Sequence, residues 1–157
     1  MNLFKTPKIK KEKGVTCAVM FLTPSKKVLL VHPNNASWNC WSFPKGLCEA
    51  NELPAVAASR ELTEETGLWA DPTDLIDLGR FPYIPAKDYH LFLYRSPVEP
   101  LMTELICEST FLGRDGTQIC EVDNFQFTTI EYALTILNKN QAAIVTEVIS
   151  KSDLSLA

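Results

Sequence analysis

The stretch Gly46–Leu68, GLCEANELPAVAASRELTEETGL, gathers Glu52, Glu61, Glu64 and Glu65 beside a single arginine, Arg60. On a helix, Glu61, Glu64 and Glu65 stand at i, i+3 and i+4 and project from one face. Like charges at that spacing cost roughly 0.2–0.5 kcal/mol per pair. A hard divalent cation offsets that repulsion. Carboxylate oxygens suit Mg²⁺ or Mn²⁺, which keep several waters and engage substrate phosphates directly.

The periodicity supports a helix. Ala55, Ala58 and Leu62 fall on one side, with Ser59 and Thr66 at its edge, while the three glutamates fall on the other. Pro54 suits the first turn, where its missing N–H is not needed, and Gly67 suits the end. The expectation is a helix that packs its small apolar face and leaves the carboxylates opposite. Three glutamates alone would fit an ordinary solvated acidic face equally well.

The wider pattern separates these readings. Gly46, Glu52, Arg60, Glu61, Leu62, Glu64, Glu65, Gly67 and Leu68 resemble the signature of the Nudix hydrolases at every defining position. From average residue frequencies, a chance match has odds on the order of 10⁻⁷. The resemblance implies an α/β/α sandwich with a mixed central sheet. It also implies a Mg²⁺- or Mn²⁺-dependent pyrophosphohydrolase that cleaves a nucleoside diphosphate linked to another moiety. By the same resemblance, Glu61, Glu64 and Glu65 are metal ligands, with the backbone carbonyl of Lys45 as a further one. Glu52 pairs with Arg60 and steadies the loop–helix junction. The general base is a motif glutamate or a carboxylate from a later loop.

Outside this box, Glu121 stands six residues before Phe127 in EVDNFQF, which resembles the position of an additional metal ligand or base in many family members. The alternatives are a solvent-facing strand residue at Glu121, or Asp123 in its place. The entry Trp41-Ser-Phe-Pro-Lys-Gly is similar to that of diadenosine polyphosphate hydrolases and of messenger-RNA decapping enzymes. It makes Lys45 a candidate contact to the departing phosphate. Lys87 resembles a phosphate-binding lysine of the diadenosine polyphosphate hydrolases, and Tyr83 is a candidate for stacking on a purine.

The remaining chain reads as one domain, 14–157, preceded by a basic tail, 1–13, expected to be flexible. A length of 157 residues is enough for a real core. The net charge of −4 argues against broad non-specific binding to nucleic acid. The tail nonetheless carries Lys5, Lys8, Lys10, Lys11 and Lys13, so an RNA 5′ end stays open as a partner. No stretch is apolar and long enough for a membrane span, and the first residues lack the apolar core of a signal peptide, so a cytoplasmic location is expected. Five cysteines without a CxxC pair exclude a zinc ribbon and a disulfide framework, and Cys17 reads as a small core hydrophobe. His32 and His90 read as structural.

Strands are expected at Gly14–Leu22, Lys27–His32, Trp41–Pro44, Leu75–Phe81 and Tyr89–Ser96. A hairpin of Leu105–Leu112 and Thr117–Phe127 follows, then helices at Thr128–Leu137 and Gln141–Lys151. The motifs accompanying nicotinamide-dinucleotide and coenzyme A specificity are absent, and the positions needed for isopentenyl isomerase chemistry are not matched. Dinucleoside polyphosphates or related nucleotide polyphosphates are the leading expectation for substrate. The alternatives are a 5′-end RNA pyrophosphohydrolase of decapping type and a non-catalytic, nucleotide-sensing module. The residues leave the oligomeric state unassigned.

Overall fold

The computed structural model describes residues 12–151, so the tail residues 1–11 lie outside the described part. Strands β1 (Gly14–Leu22) and β2 (Val28–Pro33) are followed by the short β3 (Lys45–Leu47) and helix α1 (Pro54–Thr66). Next come β4 (Ile76–Ile84) and β5 (Lys87–Arg95). The hairpin β6 (Thr110–Leu112) and β7 (Gln118–Cys120) leads to β8 (Val122–Thr128), α2 (Ile130–Ile136) and α3 (Lys139–Lys151).

The main sheet runs β4-β5-β1-β2-β8, with β3 also paired to β1. Only β1 and β5 run parallel, over the full span Gly14–Leu22 against Lys87–Arg95; the other pairs are antiparallel. Strict alternation along β1 sends Cys17, Val19 and Phe21 toward α1, against Ala57, Ala58 and Leu62. Ala18, Met20 and Leu22 face the other way, toward Leu137, Ile144, Val145 and Val148 of the α2–α3 layer. Because both faces are covered, β1 is an almost continuous apolar run. The result is the expected α/β/α sandwich with a mixed sheet. Among the described residues, no helix is long and apolar enough to cross a membrane.

Four local expectations are corrected. Trp41–Pro44 is no strand: Trp41 and Ser42 make isolated bridges to Leu137 and Val31, and the ladder with β1 begins at Lys45. The Leu105–Leu112 strand shrinks to Thr110–Leu112. The preceding residues instead cap the open end of α1, Ile106 N–H donating to the Thr66 carbonyl and Glu108 and Ser109 N–H to that of Glu64. The Thr117–Phe127 strand breaks at Glu121, because β7 pairs with β6 while β8 pairs with β2. Finally, the face of α1 opposite its apolar side, which carries the glutamates, is itself covered. Glu61 and Glu65 are each only 7% exposed, and Glu64 alone is half-exposed, because β3 and residues 105–109 cover that face.

Candidate active site

The N-terminus of α1 starts at Pro54 and its C-terminus stops at Gly67, whose φ of 77° is left-handed and whose N–H returns to the Thr63 carbonyl. Between these ends, Arg60 organises the box. Its guanidinium grips Glu52 by two parallel bonds, Nε–Oε2 at 2.8 Å and Nη2–Oε1 at 2.9 Å. That bond chiefly holds the Glu52 carboxyl below the usual carboxylate range and reinforces the charge on Arg60. Nη2 also reaches the Leu47 carbonyl, and Nη1 donates to Glu61 at 2.9 Å and to Glu64 at 3.3 Å. Loop, helix and β3 are thus tied by one side chain.

Glu61 lies against Gly46, where a Cβ would overlap its carboxyl group. Burial pushes the Glu61 carboxyl upward, opposed by Arg60 and reinforced by the charges of Glu64 and Glu121. Glu65 accepts the Lys45 N–H at 2.6 Å. Burial raises Glu65 to about 8; that hydrogen bond and the Lys45 charge oppose the shift, and Glu61 and Glu121 add to it.

Glu121 therefore acts on both buried glutamates although it lies in a different part of the chain. It is exposed, in the link between β7 and β8. Its N–H bonds to Ser109, next to the cap of α1, and its carbonyl accepts from Asn34. Asp123, the alternative, instead holds Nδ1 of His32 at 2.6 Å. Among the described residues, no three carboxylate, histidine or cysteine groups converge on one point as metal ligands, since Arg60 stands between Glu61 and Glu64. The donor set itself is all oxygen, crowded and partly buried, and suits a hard divalent cation.

The half-buried side chain of Lys45 lies beside Glu65, close enough for its charge to act on that carboxyl. Lys87 sits at the start of β5, opposite Gly14. Tyr83 packs its ring on Tyr89 (centroids 4.9 Å apart), and its hydroxyl accepts from Asn138. One support escaped sequence reasoning. Gln141, fully buried, accepts from Phe43 N–H and the Tyr89 hydroxyl and donates to Ser42, fastening the box entry to α3. A polar residue at a position with helical core spacing was the available signal for it. His32, read as structural, bridges Asp123 and the Ser37 carbonyl.

A sandwich that presents glutamates on a loop–helix–loop against the end of a mixed sheet defines a class of phosphoanhydride hydrolases. Residues 12–146 match the family model of the NUDIX domain, and the chain belongs to that family. Among curated proteins it is 37% identical over 123 residues to an uncharacterized 17.7 kDa protein of Enterobacteria phage T4, covering 73% of this chain and 82% of that one. It is 42% identical over 65 residues to nucleoside diphosphate-linked moiety X motif 6 of Mus musculus, covering 41% of this chain and 20% of that protein. Among solved structures, the MutT protein of Methanosarcina mazei Go1 superposes with a TM-score of 0.66 at 13% identity, covering 93% and 99% of the two chains. The NUDIX domain of Shewanella oneidensis NrtR, complexed with ADP ribose, gives 0.65 at 16% identity, covering 93% and 92%.

Proposed function

We propose that this chain is a Mg²⁺- or Mn²⁺-dependent pyrophosphohydrolase acting on nucleoside diphosphates linked to another moiety, with dinucleoside polyphosphates and related nucleotide polyphosphates foremost. The observation that carries this reading is the placing of Glu61 and Glu65 in a buried position against Gly46 and Lys45, with the Glu121 link tied through Ser109 to the Glu64 carbonyl. The mouse relative is named for a nucleoside diphosphate-linked moiety, and the similar NUDIX domain of NrtR was solved with ADP ribose.

Glu61, Glu64, Glu65, Glu121 and the Lys45 carbonyl would hold the cation, which supplies charge neutralisation on the phosphates and makes water a better nucleophile. To hold it, Glu61 and Glu64 would have to leave Arg60 Nη1, while Arg60 would keep its two bonds to Glu52. Glu121, exposed to solvent, accepts the proton of the water that attacks phosphorus; Glu64 is the box alternative. The bridging P–O bond breaks, and the ammonium of Lys45 stabilises charge on the departing phosphate. Lys87 and Tyr83 are further substrate contacts in this reading.

The test is a panel of dinucleoside polyphosphates, nucleotide sugars, dinucleotides and triphosphorylated RNA, assayed for phosphate-containing products with Mg²⁺ and with chelator. Hydrolysis of dinucleoside polyphosphates that vanishes in chelator is the expected result. Full activity in chelator overturns the mechanism. Cleavage of RNA 5′ ends with poor dinucleotide turnover hands the assignment to the decapping type, and nucleotide binding without turnover to a sensing module.

A further inference from the structure

A groove of about 350 Å³ opens along β8 on the α2 side of the sheet. Its walls are Trp38, Asn39, Trp41, Asn124, Gln126 and Tyr132, together with Phe125 and Ile136. Apart from the Tyr132 phenol, no lining side chain is ionisable, so the groove suits a flat, neutral ring better than a phosphate. The side-chain amides of Asn39 and Gln126, and Nδ2 of Asn124, have no hydrogen-bond partner among the described residues. They offer both donors and acceptors to a ring edge. Larger cavities have the wrong character or place. The one between β4 and α3, about 510 Å³, is walled by Ile76, Leu78, Phe81 and Val148 with Asp77, Glu147 and Lys151, at the opposite edge of the sheet.

The aromatic wall is held, not loose. Trp38 is 78% exposed, yet its loop is pinned by His32, only 7% exposed, whose Nε2 bonds the carbonyl of the adjacent Ser37 at 3.0 Å and whose Nδ1 bonds Asp123. Both ring nitrogens face acceptors, so the imidazolium fits this site best. Burial acts to lower its pKa, but the Ser37 carbonyl and Asp123 outweigh it and the net shift is upward. The His32 ring also packs edge-on against Trp41, centroids 5.2 Å apart. An exposed tryptophan fixed at a groove beside amides is a stacking platform.

We propose that the Trp38–Tyr132 groove is the nucleobase subsite of this enzyme, the base stacking on Trp38 with its edge read by the amides of Asn39, Asn124 and Gln126. This rests on the pyrophosphohydrolase reading for the identity of the ligand. Chain continuity supports it: Asn34 N–H bonds the Glu121 carbonyl, and the same loop carries Trp38 and Asn39 into the groove wall. In this arrangement His32 is a positioning residue, acting through the Ser37–Trp38 loop.

The test separates binding from turnover. Calorimetric titration of the intact protein in Mg²⁺ compares AMP, GMP, CMP and UMP with ribose 5-phosphate, none of which contains an anhydride bond. At least one nucleoside monophosphate should bind tenfold or more tightly than ribose 5-phosphate. Trp38→Ala should abolish that difference, and Tyr132→Ala, at an exposed helix position, should reduce it several-fold. With a cleaved substrate, Trp38→Ala should raise KM about tenfold and change kcat less than threefold. His32→Gln should follow Trp38→Ala in KM while circular dichroism stays native. Equal binding of ribose 5-phosphate and every nucleotide, or unaltered affinity in both aromatic variants, overturns the groove. If no anhydride is cleaved but AMP still binds through Trp38, the hydrolase reading falls and the groove stands.

Discussion

The backbone N–H of Lys45 donates to Oε1 of Glu65 at 2.6 Å, so the residue that opens the box is fastened to the glutamate near its end. The bond sets the carboxylate of α1 against β3 and beside the Lys45 ammonium. Burial at that place, which the bond only partly offsets, couples the ionisation of Glu65 to folding.

That coupling has a definite sign. In the unfolded chain Glu65 ionises near 4.5, whereas in the folded protein it keeps its proton up to about 8. Between those values the unfolded state binds fewer protons, so folding stability of the metal-free protein falls as pH rises through the window. Glu61, also raised, adds in the same direction, and Glu52, lowered, acts only at the acid end, where its contribution is lost as pH falls. Denaturant titrations in chelator should show the decline, and Glu65→Gln should flatten it relative to wild type. A wild-type curve that rises between about pH 5 and 8 by more than the Glu65→Gln curve would contradict the buried carboxyl.

Glu64→Gln and Glu65→Gln are expected to lower turnover by orders of magnitude while leaving the melting temperature unchanged or higher near neutral pH. Glu64→Gln removes like charge from a crowded face, Glu65→Gln removes a carboxyl that is costly to ionise where it is buried, and glutamine at position 65 keeps an acceptor for the Lys45 N–H. Steady-state kinetics beside thermal melts settle the matter. Variants that unfold yet retain specific activity would make these glutamates structural.

Glu52→Gln should behave oppositely. It breaks a bidentate, charge-assisted pair with Arg60 that is mostly buried, with side-chain exposures of 12% and 25%. The expected loss is about 1–3 kcal/mol of stability, seen as a lower melting temperature, with a smaller drop in kcat than at Glu64. A melting temperature equal to wild type would show that the pair does not hold the junction.

Gly46→Ala tests close approach. Gly46 is outside the left-handed region, so alanine suits the backbone, but its Cβ would collide with the Glu61 carboxyl group. Displacing Glu61 should reduce kcat at least tenfold with far-ultraviolet circular dichroism intact. Unaltered kinetics would mean that Glu61 is not needed where the structure puts it.

Removing residues 1–13 should leave hydrolysis of diadenosine tetraphosphate nearly unchanged. Within the described residues the deletion removes one surface ion pair, Lys13 to Asp88 at 3.6 Å, of a kind worth about 0–1 kcal/mol. Abolished RNA 5′-end cleavage in the truncated protein, with poor dinucleotide turnover by the intact one, would move the substrate class to RNA. A steep fall of affinity with salt would accompany that outcome.

The box was legible in the chain because its information is local. Helix periodicity, Pro54 at the start, Gly67 at the end and the glutamate spacing all lie within one segment, and short-range geometry is set by residues that are neighbours in sequence. β1, β2, β4 and β5 were legible for a similar reason, since alternation and apolar runs record burial, while the sandwich was implied by the resemblance of the box. The tertiary structure alone decided three things. It covered the glutamate face of α1 with β3 and residues 105–109, so that Glu61 and Glu65 are buried instead of solvated. It cut the Thr117–Phe127 run at Glu121, because two different strands compete for its two halves, and so brought Glu121 to the box. It joined His32 to Asp123 and Ser37 beside Trp38, across 91 residues in the first case. Each depends on pairing between distant segments, and a side chain's partner across such a distance leaves no periodic trace in the sequence around it.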